Sequence, residues 1–396
     1  MLFNFILFYL FTFHITSYLT NYELQAITIF AILMGISESV LNSEITDNHI
    51  ITGGSMAKKN ITFADIAKYT NFSKTTISRY FSNPDSLTLE NQKIISDALV
   101  ALDYKENKLA RTFANGKTEF IGIIVPNLHM HYYAQILNEL LSTYETFGYK
   151  FLVFAGNDND EIERKYLQEL LAYKIEGLIV LSHTISSKEL ASYNIPIVTI
   201  EREDLYTCSV NSDNYMGAIQ ATNLLYKNGC DVLIHMNVDI DSHVPAYNRI
   251  RGFCDICQEH HLEYELMLDD WGTTYHEISL RLQPVIDYLE KTYPQKRKGV
   301  FLSNDTLANV FLNLLLKKYG KFPDDYRLIG FDGSPISDEA IIPISTVGQQ
   351  VDKLAYQAMK ILVTQMKERK KRKPKPLESP IHKVIMPVLI RRDTTT

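Results

Sequence analysis

The sequence predicts two folded units: a small all-α unit containing a helix-turn-helix, and a larger α/β unit with two lobes of doubly wound parallel sheet. Three short helical patterns lie close together between residues 62 and 104. Seven short apolar runs then alternate with helical patterns from residue 118 onwards. Residues 56–117 carry ten Lys or Arg and six Asp or Glu, although the whole chain has a net charge of −6. A basic module before an acidic body is typical of a nucleic-acid-binding unit joined to another kind of domain.

The first 55 residues differ from the rest, with four acidic residues and no Lys or Arg. Their apolar run MLFNFILFYLFTFHI is short for a membrane span and contains Asn4 and His14. A signal peptide would begin with positive charge. The codons for TGGS, at residues 52–55, can spell a bacterial ribosome-binding sequence just before Met56. We therefore expect residues 1–55 to be a non-native upstream extension, with a membrane anchor as the alternative.

Each helix of the small unit begins at a residue suited to capping. Thr62 precedes the first helix, and Asp65 three residues later gives the spacing of a capping box. Ser73 precedes the second helix, KTTISRYF, and Thr88 precedes the third, LENQKIISDALVALDY. Asn71 tolerates the left-handed backbone of a tight turn between the first two helices. This succession of elements predicts a helix-turn-helix.

The second helix has one apolar side and one side crowded with cations and hydroxyl groups. Phe72, Ile77 and Phe81 would anchor it to the other two helices. Arg can read guanine with two hydrogen bonds, and Ser and Thr can contact base edges or phosphates. The pattern favours a recognition helix in the DNA major groove, although a capped polar surface helix would share it. The residues of the outer side are Lys74, Thr75, Ser78 and Arg79.

Three motifs between residues 61 and 118 extend this interpretation: DIA from Asp65, FSKTTISR from Phe72 and ARTF from Ala110. They resemble the N-terminus of the lactose-repressor-type (LacI/GalR) family of bacterial transcription regulators. The resemblance implies binding to double-stranded operator DNA. The implied DNA contacts are Thr62, Ser73, Lys74, Thr75, Thr76, Ser78, Arg79, Asn107, Ala110, Arg111 and Phe113.

The same resemblance implies that residues 106–117 form a hinge helix and linker. The leucine that family members wedge into the minor groove is Phe113 in this sequence, and the Pro before Asn107 is Glu106. Phe serves as an intercalating wedge in other minor-groove binders. We therefore expect Phe113 to insert into bound DNA.

Apolar, β-branched runs in residues 118–396 predict the strands of parallel sheets. Helical patterns lie between the runs, which is typical of doubly wound sheets covered on both faces. Seven strands exceed one mononucleotide-binding half, so we expect two lobes with a ligand cleft at the carboxyl ends of the strands. The runs are FIGIIV (120–125), FLVFA (151–155), GLIVLS (177–182), PIVTI (196–200), DVLIHM (231–236), GVFLS (299–303) and RLIGFD (327–332).

Polar side chains at strand ends and nearby loops form a set suited to sugar hydroxyls, with carboxylates, amides, Arg and one aromatic ring. Packing and helix capping could explain the same residues, and Asp305 is placed to cap a helix. The segments VNSDNYMG, YNRIRGF, SNDTLAN, LIGFDGSPI and ISTVGQQ resemble the periplasmic-binding-protein-like effector domain of the same family. The resemblance places ligand roles on Asp213, Arg249, Asn304, Asp332, Gln349 and Trp271 and makes His131, Tyr133 and Arg202 candidates, while position at a strand end adds Asn157.

Signatures of other protein classes are weak. Cys254 and Cys257 form a CxxC without a second pair of metal ligands, so we expect helix-face cysteines and no metal or cofactor. The sequence contains no GxGxxG after a strand, no P-loop and no GxSxG, so no enzyme is expected. The basic run KERKKRKPKP at 367–376 is expected to be a solvated connector.

These observations predict a cytoplasmic, homodimeric repressor of a carbohydrate-utilisation operon. A sugar or sugar phosphate in the interlobe cleft would control it. The resemblance also leaves open a phosphoprotein co-regulator as a partner, as in some relatives. An exported or membrane-tethered sugar-binding sensor is the alternative if residues 1–55 are native. The expected domains are the extension 1–55, the helix-turn-helix domain 56–105, the hinge 106–117 and the two-lobed effector-binding and dimerisation domain 118–396.

Overall fold

A computed structural model describes residues 61–105, 117–241, 244–375 and 377–396. The chain divides into two compact units, with the boundary after Glu106. The predictions for residues 1–55 and for the hinge residues Asn107, Ala110, Arg111 and Phe113 lie outside the described residues. Within the described ranges, no helix combines the length and the apolar character needed to cross a membrane.

The small unit consists of three α-helices in the predicted order. Helix α1 spans Phe63–Thr70, α2 spans Lys74–Ser82 and α3 spans Leu89–Ala101. A short 3-10 turn over Pro84–Ser86 precedes α3. Asn71 between α1 and α2 has a φ of 60°, the left-handed conformation that the turn requires.

The predicted caps of these helices are formed. The Thr62 amide donates to the Asp65 carboxylate at 2.8 Å, which closes the capping box of α1. Ser73 Oγ accepts from the Thr76 amide at 3.0 Å, and Thr88 Oγ1 accepts from an amide in the first turn of α3 at 3.3 Å. These local hydrogen bonds fix where each helix begins.

One apolar cluster holds the small unit together. Ile66, Ile77 and Ile95, one from each helix, are completely buried. The rings of Phe63 and Phe81 stack beside them with centroids 5.0 Å apart. The cluster fixes the orientation of α2, because Ile77 and Phe81 lie on its inner side.

The first lobe of the larger unit is a six-stranded sheet in the order β11-β5-β4-β3-β1-β2, with every neighbouring pair parallel. The strands are β1 Phe120–Val125, β2 Lys150–Ala155, β3 Gly177–Val180, β4 Ile197–Ile200, β5 Cys208–Ser212 and β11 His382–Ile385. The helices are α4 His131–Ser142, α5 Tyr144–Phe147, α6 Asp160–Ala172, α7 Ser187–Ser192 and α13 Val351–Arg369.

The second lobe repeats this plan in the order β12-β10-β9-β8-β6-β7, with β12 antiparallel to β10 and the other pairs parallel. The strands are β6 Val232–Asn237, β7 Glu263–Leu268, β8 Lys298–Leu302, β9 Tyr326–Asp332, β10 Ser345–Gly348 and β12 Val388–Ile390. The helices are α8 Asn214–Lys227, α9 Asn248–Glu259, α10 Tyr275–Thr292, α11 Asp305–Tyr319 and α12 Pro335–Glu339. Short 3-10 turns lie at Pro245–Tyr247 and Asp393–Thr395.

The chain passes between the lobes after β5, after β10 and after β11. Hydrogen bonds join these crossings. Ser212 Oγ donates to Gln349 Oε1 at 2.6 Å, and the Asp213 amide donates to the Ile385 carbonyl at 2.9 Å. The three crossings therefore form one connected region between the sheets, beside the carboxyl ends of β5 and β10.

Candidate functional site

A cleft between the two lobes is lined mainly by residues that follow strands of both sheets. It contains two adjoining cavities of about 140 and 200 Å³, which share Met130, Tyr133 and Asn304. The first cavity is also lined by Tyr132, Leu181, His183, Ile200, Glu201, Val244, Ala246, Arg249, Asp332 and Gln349. The second is also lined by Pro126, Asn127, Asp158, Val238, Asp270, Trp271, Gly272, Thr273, Ile278, Ser303 and Leu307.

Arg249 is a fixed cation on the wall of the first cavity. Its Nε donates to Asn214 Oδ1 at 2.7 Å, and its Nη1 donates to the Ser303 carbonyl at 2.5 Å. The guanidinium carbon lies 3.7 Å from the centroid of the Phe331 ring, a cation–π contact. Two hydrogen bonds and one stacked face hold the planar group in a single orientation.

Two carboxylates share this cavity with Arg249. Asp332 accepts from Gln349 Nε2 at 2.6 Å, and Glu201 accepts from the Ser212 amide at 2.7 Å. Burial raises the pKa of both carboxyl groups, and the Arg249 charge opposes that shift. Asp332 has a φ of 114° and Glu201 a φ of 57°, which are unfavourable for residues with a side chain. Backbone strain of this kind concentrates at ligand-binding positions.

Two adjacent tyrosines of α4 line the same cavity. The Tyr132 hydroxyl is buried without a hydrogen-bond partner among the described residues. Such a group costs about 1–3 kcal/mol, so it would gain from a ligand hydroxyl. The Tyr133 ring packs edge-on at 5.5 Å from the Tyr132 ring and reaches both cavities. Burial raises the pKa of both phenols, which therefore remain protonated at neutral pH.

Trp271 gives the second cavity an aromatic wall. Its side chain is buried and its Nε1 donates to the Asn237 carbonyl at 2.8 Å, so the indole is held in place. Asp158 and Asp270 add carboxylates to this cavity, and Asp270 lies 3.5 Å from the Arg281 guanidinium.

Six of the ten residues predicted to bind an effector line these cavities, and four do not. Asp213 caps α8, since its Oδ1 accepts from the Met216 amide at 2.9 Å. His131 makes a 3.2 Å hydrogen bond to Thr306 between the lobes. Asn157 is exposed outside the cavities, and its neighbour Asp158 lines the second one instead. The six that line the cavities are Tyr133, Arg249, Trp271, Asn304, Asp332 and Gln349.

Arg202 is the fourth predicted effector residue that does not line the cavities, and its side chain is held within the first lobe. Its guanidinium is buried and donates to the Ile185 carbonyl at 2.6 Å and to Ser187 Oγ at 3.3 Å. The left-handed backbone at Glu201, directly after β4, gives the wall position to Glu201 instead. Sequence reasoning missed this residue, together with Tyr132, His183 and Asp158, although position at a strand end could have indicated Glu201 and His183.

The sequence placed Asp305 as a cap of α11, and the structure corrects this prediction. Asn304 is the cap, because its Oδ1 accepts from the Leu307 amide at 2.8 Å. Asp305 is completely buried and accepts from the Ser334 amide at 2.7 Å and from Thr346 Oγ1 at 2.6 Å. It joins α11 to the segments after β9 and within β10, directly behind the cavity wall.

A pH dependence follows from this carboxyl group. Burial raises the pKa of Asp305 to about 7 from 3.8, although hydrogen bonds from Thr346 and Ser334 favour the ionised form. The folded protein keeps a proton that the unfolded chain releases, so this group's contribution to stability falls as pH rises from about 4 to about 7. Asp305→Asn removes the titration. In urea unfolding, wild type should lose up to about 4 kcal/mol relative to the variant between pH 4 and pH 8. A difference that stays constant with pH would contradict this assignment.

The outer side of α2 forms a second candidate site. Ser73, Lys74, Thr75, Ser78 and Arg79 are all exposed, while Ile77 faces the core. Thr76 is half-buried, and its hydroxyl lies 2.9 Å from the capping hydroxyl of the helix. The exposed surface therefore presents two cations and three hydroxyls at the N-terminal half of a capped helix, the arrangement of a recognition helix.

Cys254 and Cys257 lie on α9, as their helical pattern predicts. Cys257 is buried, and burial raises the pKa of its thiol to about 12. The thiol is therefore protonated at neutral pH, when it packs as a small apolar group.

Comparison with known proteins agrees with both units. The periplasmic binding protein-like domain family matches residues 222–395. The ribose operon repressor of Halalkalibacterium halodurans is 25% identical over 84% of this chain and 97% of its own length. The sucrose operon repressor of Streptococcus mutans is 26% identical over 76% of this chain and 91% of its own length. The solved Lac repressor dimer bound to operator and the anti-inducer ONPF superposes with a TM-score of 0.71 at 18% identity, covering 85% of this chain and 99% of that chain.

A helix-turn-helix unit joined to a two-lobed α/β body with an interlobe cleft defines a class of ligand-binding transcription regulators. The chain is similar over three quarters or more of its length to named operon repressors, and its N-terminal motifs resemble those of the LacI/GalR (lactose-repressor-type) family.

Proposed function

We propose that this protein is a DNA-binding repressor of a carbohydrate-utilisation operon and that a sugar in the interlobe cleft controls it. The observation that carries the proposal is that one chain holds both a capped helix with an exposed basic and hydroxyl surface and a cleft of converging polar groups. The relatives named as ribose and sucrose operon repressors support the carbohydrate assignment.

The cleft offers a mechanism for control. Glu201 and Tyr133 belong to the first lobe, whereas Arg249, Asn304 and Asp332 belong to the second. A ligand that contacts both sets favours one arrangement of the lobes over another. Its differential affinity for the two arrangements sets the largest change in DNA affinity that it can produce.

We further propose that the regulator acts in the cytoplasm as a homodimer. Two copies of α2 would read two half-sites of a pseudo-palindromic operator, about one helical turn apart. The predicted hinge contacts of Asn107, Ala110, Arg111 and Phe113 belong to this proposal. A phosphoprotein co-regulator, which the family resemblance leaves open, would be a separate partner.

Arg79→Ala tests the DNA-binding assignment. The change removes a guanidinium suited to reading guanine, so we expect a loss of about 10- to 100-fold in affinity for the operator. Binding is measured by fluorescence anisotropy on an operator duplex found by selection from random DNA. Lys93→Ala is the matched control, because it removes one exposed positive charge from α3 instead of α2. Equal losses in both variants, or a loss for random DNA as large as that for operator, would contradict a base-reading role.

A further inference from the structure

Sugars that control operons can be neutral, phosphorylated or acidic, and the charges of the cleft distinguish among these classes. We infer that the effector is an uncharged sugar and that the cleft excludes sugar phosphates and sugar acids. The inference rests on the proposed function, because it concerns the ligand of the same cleft.

Acidic side chains outnumber cationic ones among the described residues of the cleft. Glu201 and Asp332 line the first cavity, and Asp158 and Asp270 line the second. Among the described lining residues, Arg249 is the one Lys or Arg. Each of these carboxyl groups that is ionised repels an anionic ligand.

Arg249 is poorly placed to offset that repulsion. Asn214 and the Ser303 carbonyl occupy two of its donor groups, and Phe331 covers one face of the guanidinium. Glu201 and Asp332 share the same cavity and already interact with its charge. Tight phosphate binding uses two parallel donors of a guanidinium. The hydrogen bond from Nε to Asn214 removes the side-on pair formed by Nε and Nη2.

Side chains occupy some of the backbone donors near the cleft. Helix ends attract anions through exposed backbone amides. Just before α4, the Asn127 side chain accepts from the amides of His129 and Met130 at 3.2 Å each, although the helix itself has no side-chain cap. At α11, Asn304 Oδ1 accepts from the Leu307 amide at 2.8 Å. At α11, therefore, a side chain satisfies a donor that a phosphate would otherwise use.

The remaining polar groups suit hydroxyls. Burial, and then the Arg202 charge, lower the pKa of His183, so its ring is neutral at neutral pH and adds no cation. The hydroxyls of Tyr132 and Tyr133 and the amide of Gln349 are neutral donors or acceptors. A sugar hydroxyl can donate to Glu201 or Asp332 and also accept from these groups, whereas a phosphate dianion can only accept.

Matched ligand pairs test the inference directly. Binding to the purified full-length protein is measured by calorimetry for ribose and ribose 5-phosphate, sucrose and sucrose 6-phosphate, and glucose and gluconate. We expect one uncharged sugar to bind with a dissociation constant at least about tenfold below that of its charged partner, a difference of about 1.4 kcal/mol. A charged member that binds more tightly than its partner overturns the inference, as does a panel in which no uncharged sugar binds.

Glu201→Gln tests the electrostatic cause with little change of shape. We expect the preference for the uncharged partner to shrink about tenfold, since one repelling charge is gone. Asp158→Asn, at an exposed position of the second cavity, should shift the preference in the same direction. This variant replaces Glu201→Gln in the test if Glu201→Gln fails to fold. Glu189→Gln is the control, because Glu189 pairs with Arg164 outside the cavities. An unchanged preference in both cleft variants overturns the inference.

Operator binding on the same preparations separates this result from the proposed function. If the protein binds an uncharged sugar but no DNA, the repressor assignment fails and the cleft assignment stands. If it binds operator DNA but prefers a charged sugar, the repressor assignment stands and the inference about the cleft fails.

Discussion

Arg249→Ala is expected to weaken effector binding at least about 100-fold and to make operator binding insensitive to the effector. The substitution removes the charge that offsets Glu201 and Asp332, and it leaves Asn214 and the Ser303 carbonyl without their donor. Truncating one partner of a buried, hydrogen-bonded charge arrangement at a binding surface typically costs about 2–5 kcal/mol of binding free energy, and about 3 kcal/mol corresponds to a factor of about 100. Calorimetry measures the loss of sugar binding, and anisotropy measures operator affinity with and without the sugar.

Arg249→Lys separates charge from geometry in this prediction. Lysine keeps the positive charge but cannot make the two directed hydrogen bonds or the flat contact with Phe331. We expect it to recover part of the stability that Arg249→Ala loses and little of the sugar binding. Operator affinity without sugar should be similar in wild type and both variants, because the DNA-binding unit folds around its own cluster. Normal sugar affinity in Arg249→Ala would contradict the assigned role.

The helix caps show what local sequence can predict. Thr62, Ser73 and Thr88 each bond to an amide or carboxylate within three residues, and those bonds were predictable because the spacing alone determines them. Seven strands were also found from their apolar runs. Six of them are buried strands inside their sheets, and the seventh, β2, is a partly buried edge strand whose run FLVFA is continuously apolar.

The strands that were missed lack that signal. Strand β5 (CSVNS) and strand β10 (STVG) are fully buried but rich in Ser, Thr and Asn, whose hydroxyls and amides are satisfied by tertiary partners. Strands β7 and β12 lie at sheet edges and are only partly buried. Their pairing depends on residues far away in the chain, which no local pattern reports.

The errors at the candidate site have the same origin. Asp305 was expected to cap α11, but its carboxyl group is buried by Ser334 and Thr346 from distant segments. Its neighbour Asn304 caps the helix and also lines the cavities, as predicted for a ligand residue. Glu201 has a left-handed backbone, and its side chain lines the cavity where that of Arg202 was expected. The sequence gives no sign of this conformation, because the residue is not a glycine. The residue types of the cleft were thus predictable from the sequence, but which of the neighbouring side chains line the cavities was not.

Ile77→Ala is expected to unfold the DNA-binding unit and to abolish operator binding while sugar binding persists. Ile77 is completely buried, and truncating such a side chain costs about 2–5 kcal/mol. The described part of the unit has about 45 residues, and domains of that size have only a few kcal/mol of stability. Circular dichroism should show a loss of helix, and calorimetry should show an unchanged dissociation constant for the sugar.

Ile77→Val is the matched control, since removing one methylene costs about 0.5–1.5 kcal/mol and should leave the unit folded and able to bind operator. Comparison with Arg79→Ala then separates the two sides of α2. Arg79→Ala, at an exposed position, should lower operator affinity and leave the helix content unchanged. Ile77→Ala should lower operator affinity and helix content together. If Ile77→Ala also abolished sugar binding, the two units would not fold independently, and the separation of DNA reading from effector binding would have to be abandoned.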